Sequence, residues 1–374
     1  MQIQEVEHKG AIKKFLDFPR KLYANDDNWV CPLDNDVEAI FDRKKNNFHS
    51  FGRITRWILI DADDSTKIIG RIAAFINDKK AYNYEQPTGG IGFYECIDDE
   101  DASTLLFDTA KYWLRNFGML AMDGPINFGE NDNFWGLLIE GFTQPSYGMN
   151  YNFPYYKKQF EDYGFKTEYE QITNHLNLNI PFPERFTKIA NWVANKEGYT
   201  FEHFSTDKFG KYAADFMEIY NDAWKNFPNF TPIKIETVKD SFRKMKAIMD
   251  PKLLWFAYIN NEPVSFVVIL PDANLMLKPL KGKLNLIGKL IFLYKKWKGV
   301  NRMRAIVMGT KEKYQKHGIE SAIFIKLKEY VIPMNQYDEL ELSWVGDFNS
   351  KMIAIHEATG AKFGKRHATM RCIF

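Results

Sequence analysis

Apolar and polar positions recur along this chain with two different periods. Between Gly318 and Val331 the apolar residues Ile319, Ile323, Leu327 and Val331 fall every fourth position, the stripe of a helix that buries one face. Ile12, Phe15, Leu16 and Leu22 mark an earlier amphipathic helix. Trp57–Phe75 reads instead as an apolar run, a polar turn through Asp61–Lys67 and a second apolar run, which predicts a hairpin. Trp255–Ile269 repeats that figure around Asn260 and Asn261.

The figures recur at nearly one offset. Asn25–Pro32, holding Trp29, follows the first helix, and Asn221–Pro228, holding Trp224, follows another about 195 positions later. Trp57 and Trp255 stand 198 apart, and Phe160–Phe165 stands 196 before His356–Ala361. Three matches in one order predict a duplicated domain. The two prolines of Asn179–Pro183 mark the linker, dividing residues 1–178 from 179–374. In the second copy the pattern predicts a strand over 199–204, a helix over 207–224, a hairpin over 253–270 and a strand over 303–308. A helix over 318–331, a strand over 339–344 and a helix over 349–359 follow. A hairpin followed by strand–helix–strand gives an α/β fold, a mixed sheet with helices on its faces.

Composition narrows the class. The 374 residues carry 50 Lys and Arg against 48 Asp and Glu, a net charge of +2, which argues against DNA binding by a basic surface. Cys31, Cys96 and Cys372 are too few and too scattered for a disulfide framework, and the seven histidines show no metal-ligand spacing, so no metal is expected. Met1–Lys9 carries charge where a signal peptide is apolar. The greasiest window, Leu290–Tyr294, is flanked by lysines and far shorter than a transmembrane helix. A cytoplasmic location is the expectation.

The candidate chemistry lies where the strand ending near Met308 runs into Gln315-Lys-His-Gly318 and the helix beyond. A glycine at a helix start lets the backbone approach a ligand, and the free N–H groups there attract a pyrophosphate. A glycine that only ends a loop is the simpler explanation of the same motif. Ala273–Lys311 holds ten Lys or Arg and no Asp or Glu, with Leu286, Leu290 and Leu293 on one helix face. Lys278–Arg304 thus suits a solvated basic face, an anionic acceptor, an RNA or a membrane surface. In the first copy Asp98–Asp101 precedes the corresponding helix, which favours its dipole and opposes a diphosphate. Glu339 and Glu341 share one face of a strand and are candidate bases, though the pattern does not say which way that face looks.

Strand, Gln-x-x-Gly, helix, strand, then Asn349-x6-His356-x3-Gly360 resembles the GNAT superfamily of N-acetyltransferases. The whole chain, through Gly124–Asn127, Gly136–Phe142, Met149–Asn152, Tyr155-Tyr156, Gly164-Phe165 and Pro271–Asn274, resembles a bacterial group with two such domains in tandem. The resemblance implies two GNAT-like domains, each a mostly antiparallel sheet flanked by helices. It implies acetyl-CoA as donor and a small amine as acceptor, seated in the cleft between them. The backbones of Val307, Met308 and Gly309 would hold the pantetheine. The amides of Gln315, Lys316, His317, Gly318, Ile319, Glu320 and Ser321 would hold the pyrophosphate, and Asn349 would steady the pantetheine. His356 stands where the family places a tyrosine that protonates the thiolate, and an imidazole suits that task. Glu320 replaces a small residue of the loop. That departure leaves room for an inactive binding module, and tandem copies also serve transferases that take an aminoacyl group from a larger carrier.

Overall fold

The structure is a computed structural model that describes residues 1–131, 133–226 and 230–374. The end of the Trp224 landmark, at Phe227 and Pro228, lies outside the described residues. The first half runs β1 (Gln2–Glu5), α1 (Lys9–Leu22), α2 (Asp34–Phe41), β2 (Gly52–Ile60), β3 (Ile68–Asn77) and β4 (Thr88–Cys96). It continues through α3 (Glu100–Asn116), β5 (Ala121–Gly124), β6 (Leu137–Glu140), α4 (Tyr155–Tyr163) and β7 (Lys166–Asn177). The second half runs α5 (Glu184–Ala194), β8 (Tyr199–His203), α6 (Phe209–Trp224), α7 (Ile235–Met245), β9 (Leu254–Ile259) and β10 (Glu262–Pro271). Then come α8 (Ala273–Leu277), α9 (Leu286–Lys298), β11 (Arg302–Thr310), α10 (Ile319–Val331), β12 (Glu339–Glu341), β13 (Val345–Gly346), α11 (Ser350–Ala358) and β14 (Lys362–Ile373).

Alternation builds the hairpins where the pattern predicts them. β2 pairs with β3 and β9 with β10, both antiparallel. Successive residues face opposite sides, so Leu59 and Ile72 meet α3, whereas Ile58 meets Phe15 of α1 and Val37 of α2. In the second half Ala257 and Val267 lie under α5 and α10, and Phe256 and Phe266 lie under α6 and α7. Ile319, Ile323, Leu327 and Val331 are all buried, as their spacing requires.

All the strands join one sheet in the order β1-β2-β3-β4-β5-β14-β7-β12-β11-β10-β9-β8, with β6 on β14 and β13 on β7. Each half therefore sends its last strand into the other. β14 pairs with β5, Met370 opposite Gly124, and β7 pairs with β12, His175 opposite Glu341. The repeat is legible in the hydrogen bonds. Ile97 N–H donates to Ile69 C=O as Lys311 N–H donates to Val264 C=O. The offset is thus 195 on β3 and 214 on β4, the difference being the α8–α9 insertion. A separate insertion in the first half, residues 125–154, restores the offset to 196 by α4.

Candidate active site

β11 and β12 run parallel for three residue pairs, Arg302 with Glu339, Met303 with Leu340 and Arg304 with Glu341. They then part. The chain after β12 stays on β7 through β13, while β11 continues to Thr310 with a strand partner on its β10 side alone. A bulge helps the divergence: Val268 faces Val307 and Ile269 faces Ala305, leaving Ile306 unpaired. Ser343 Oγ donates to the carbonyls of Ala305 and Ile306 at the base of the gap. Val307, Met308 and Gly309 line its open edge. Val307 packs toward α6 and α7 and Met308 toward α5 and α10, so β11 separates the two faces of the sheet. A Cβ on Gly309 would stand 2.5 Å from the Trp224 ring, which is why the position has no side chain.

At the end of the gap α10 begins at Gly318, which has φ of +74° and no side-chain cap. Its first amides are therefore unclaimed by any capping residue. Lys316 and His317 are exposed, Ile319 is buried, and Glu320 and Ser321 are half-buried. Gln315 Nε2 donates to Thr310 C=O at 3.3 Å, folding the loop back on the strand. Asn349 caps α11 by accepting from Met352 N–H at 3.2 Å, so its side chain already has a structural task. His356, buried on α11, takes the Asn174 amide on Nδ1 at 3.2 Å. Burial lowers its pKa to about 4, so it is neutral at pH 7.

The other face of the sheet carries a polar cluster that sequence reasoning missed, apart from Glu339 and Glu341. Glu341 is fully buried; its Oε2 lies 3.2 Å from Lys365 Nζ, and its Oε1 lies 3.6 Å from Arg304 Nε. Burial alone would raise the Glu341 carboxyl, but Lys365 and Arg304 hold it down at about 2. His175 bonds Glu339 through Nδ1 and stands 3.7 Å from Glu341 through Nε2. Gln171 and Thr173, four and two residues earlier on β7, share that face, and their side-chain polar atoms have no partner among the described residues. Arg304 Nε and Glu341 Oε1 are likewise buried without a hydrogen bond among the described residues. Buried polar atoms seldom stay unpaired, so such a concentration fits a polar ligand. The 125–154 insertion roofs the cluster: Arg304 donates to Tyr147 C=O, and His367 bonds Asn150 C=O at 3.0 Å. Between roof and floor lies a cavity lined by Trp135, Met149, Gln171, Thr173, Arg304 and Trp344.

The first half has the same gap, occupied. β4 and β5 pair from Thr88 to Gly90 and then part, and β4 carries its own bulge, with Phe93 at φ of +50°. Two tyrosines of α4 enter. Tyr156 OH accepts from Cys96 N–H at 3.0 Å, and Tyr155 OH donates to Cys96 C=O at 2.7 Å. Buried Glu95 accepts from Tyr23 at 2.7 Å, Tyr156 at 2.8 Å and Arg71 at 3.3 Å. Asp99 caps α3 by accepting from Ala102 N–H at 2.7 Å. On the far side a second cavity of mixed character lies between Trp29, Phe93 and Phe134 and the Arg71–Glu95 pair, and it shares Met149 with the central cavity.

A parallel strand pair that splays beside a bulged strand, present in both halves, and a helix opening on glycine in the second have a counterpart among solved structures. A tandem GNAT protein from the clavulanic acid biosynthesis pathway superposes over 100% of this chain and 98% of its own, with a TM-score of 0.57 at 10% identity. The fold is a tandem GNAT fold. A GCN5-related glucosamine N-acetyltransferase region of a fungal multi-domain GH3 β-N-acetylglucosaminidase gives a TM-score of 0.56 over 99% of this chain and 38% of its own, at 11% identity. By sequence, this chain is 28% identical to Protein YghO of Escherichia coli (strain K12) over 367 residues, 96% of this chain and 92% of that protein. It is also 28% identical to a protein named bacterial ceramide synthase from Caulobacter vibrioides (strain NA1000 / CB15N), over 98% of this chain and 96% of the other. No protein-family model matches the sequence.

Proposed function

We propose that this protein is an N-acyltransferase that moves an acyl group from acyl-CoA to a primary amine held between its halves. The observation that carries the reading is the open gap beside Val307–Gly309, which leads from the uncapped start of α10 to the roofed polar cluster. The pantetheine would pair with the free edge of β11, and its pyrophosphate would meet the amides from Gln315 to Ser321. The thioester would then reach the sheet's other face, where the amine waits.

On that face Glu341 stays ionised between Lys365 and Arg304, so it serves to hold charge and not to accept a proton. His175, anchored by Glu339, and His367, which lines the cavity, are the imidazoles of this face that would take the proton from an incoming ammonium. The neutral amine attacks the thioester carbonyl, and backbone N–H near Met308 faces the oxyanion. His356 is neutral in the free protein; a developing thiolate would raise its affinity for a proton, which keeps it in the proposal as the group on the donor side.

Acetyl-CoA and a small amine are the simplest pair. A longer pair has a specific observation in its favour: a relative spanning nearly the whole chain is named for making ceramide, an N-acylated long-chain amine, and a second cavity with Trp29, Phe93 and Phe134 in its wall shares Met149 with the central one. Calorimetric titration with acetyl-CoA, palmitoyl-CoA and ATP tests both. Binding of either thioester without ATP binding, followed by an N-acyl product by mass spectrometry from ethanolamine or sphinganine, is the expected result. No heat and no thermal shift at millimolar thioester would sink the reading, since mass action stabilises any true binder at such excess.

A further inference from the structure

One helix turns its apolar side outward. α9 exposes Leu286, Leu290, Leu293 and Trp297, spaced i, i+4, i+7 and i+11; Leu290 is 61% exposed and Trp297 83%. Ile287 and Tyr294 widen the stripe. At the helical repeat these six fall within one arc of about 120°. The opposite side is well seated: Gly288 is buried, and Ile291 and Phe292 pack on the Leu277–Leu280 cluster. The helix is therefore fixed in place with its apolar stripe facing water, an arrangement that marks a binding surface.

Charge decides what the stripe meets. Lys289 and Lys296 border it on one flank and Lys298 on the other, and the segment Ala273–Lys311 has no carboxylate. Packing α9 against α9 of a second copy would bring lysine rows face to face with no acid in the insertion to pair them. An anionic lipid surface suits both parts, acyl chains for the leucines and phosphates for the lysines, with Tyr294 and Trp297 at headgroup depth. Thirteen residues make a helix of about 20 Å, too short to cross a bilayer core of about 30 Å. No helix among the described residues is long and apolar enough to cross.

We infer that α9 is a membrane-surface anchor that lies in the plane of an anionic bilayer. The anchor is joined to the roof of the central cavity. Asp272 and Asn274, just before and within α8, bond Tyr147 N–H and Pro145 C=O, and Lys278 bonds Gln144. Docking would hold that roof next to the lipid. The inference needs no acyl transfer and stands if the donor reading fails.

Flotation of the full chain with vesicles tests it. The wild type should float with mixed phosphatidylglycerol–phosphatidylcholine vesicles, less as salt rises, and little with phosphatidylcholine alone. Leu290→Glu with Leu293→Glu should weaken that partition by about tenfold or more, with an unchanged melting temperature because both side chains are exposed. Lys289→Glu with Lys298→Glu should lose the preference for anionic lipid. A blue shift of emission on vesicle addition should shrink in Trp297→Phe. Absence of wild-type flotation on anionic vesicles, or flotation unmoved by the leucine changes, overturns the inference. So does a wild-type dimer that the leucine changes dissociate, or retention of RNA in place of vesicles.

Discussion

Beyond Gly90 in the first half, tyrosine hydroxyls fill the gap between parting strands; beyond Arg304 in the second, the same gap is left open. The register makes the positions equivalent, Cys96 with Thr310 and Tyr155-Tyr156 with Lys351-Met352. In the first half the backbone of Cys96 is bonded by two phenols, and the helix start is closed by Asp99. In the second half neither plug is present among the described residues, and Gly318 gives the helix start no side-chain cap. One strand geometry thus yields either a closed structural joint or an open slot. Which one results depends on two side chains of the following helix and one cap.

The largest effect should come from the floor of the open half. Glu341→Ala would leave Lys365 and Arg304 buried without their carboxylate, a loss of about 3–5 kcal/mol by denaturant unfolding. Acid should act next. His356 and His367 both have folded pKa values lowered to about 4 by burial, against 6.5 when unfolded. The unfolded chain binds more protons in that window, so their contribution is complete above pH 6.5 and disappears as pH falls toward 4. The loss should be on the order of 3 kcal/mol for each, and His356→Gln should flatten its share of the melting-temperature profile.

Tyr156→Phe should then cost the closed half about 1–3 kcal/mol, by stripping a partner from Cys96 N–H and from Glu95. It should leave thioester binding unchanged if the first gap is purely structural. Met352→Tyr is the sharpest test and the mildest for stability. A phenol placed as in the first half should lower thioester affinity by roughly tenfold or more, about 1.4 kcal/mol, with little change in melting temperature. Unaltered affinity would mean that the donor lies elsewhere.

Much of the frame was legible in the sequence. The hairpins, the α10 stripe and the near-constant offset follow from apolar periodicity, because those elements bury apolar faces. The last strands were not legible, for the opposite reason. β7 buries Gln171 and Thr173, and β14 buries Lys365, His367 and Thr369, so their inward faces read as polar. Their partners also come from the other half, beyond the reach of local pattern. The candidate site shows the same division. Gly318 and the β11 edge announce themselves by spacing, whereas the grouping of Arg304, Glu341, His175 and Lys365 is made by register across four strands. Local rules fail most where the protein keeps polar groups inside, and such places are the expected seat of function.

The exchanged last strands also set an order in time. During synthesis the first half emerges with β5 complete and its neighbour β14 still hundreds of residues from being made. Until then β5 is an open sheet edge, the kind of surface on which nascent chains aggregate. Its natural partner is made only after the intervening strands and helices of the second half. Quality control of this protein on the ribosome, and the yield of any fragment that stops short of β14, should therefore depend on chaperones that cover an unpaired strand.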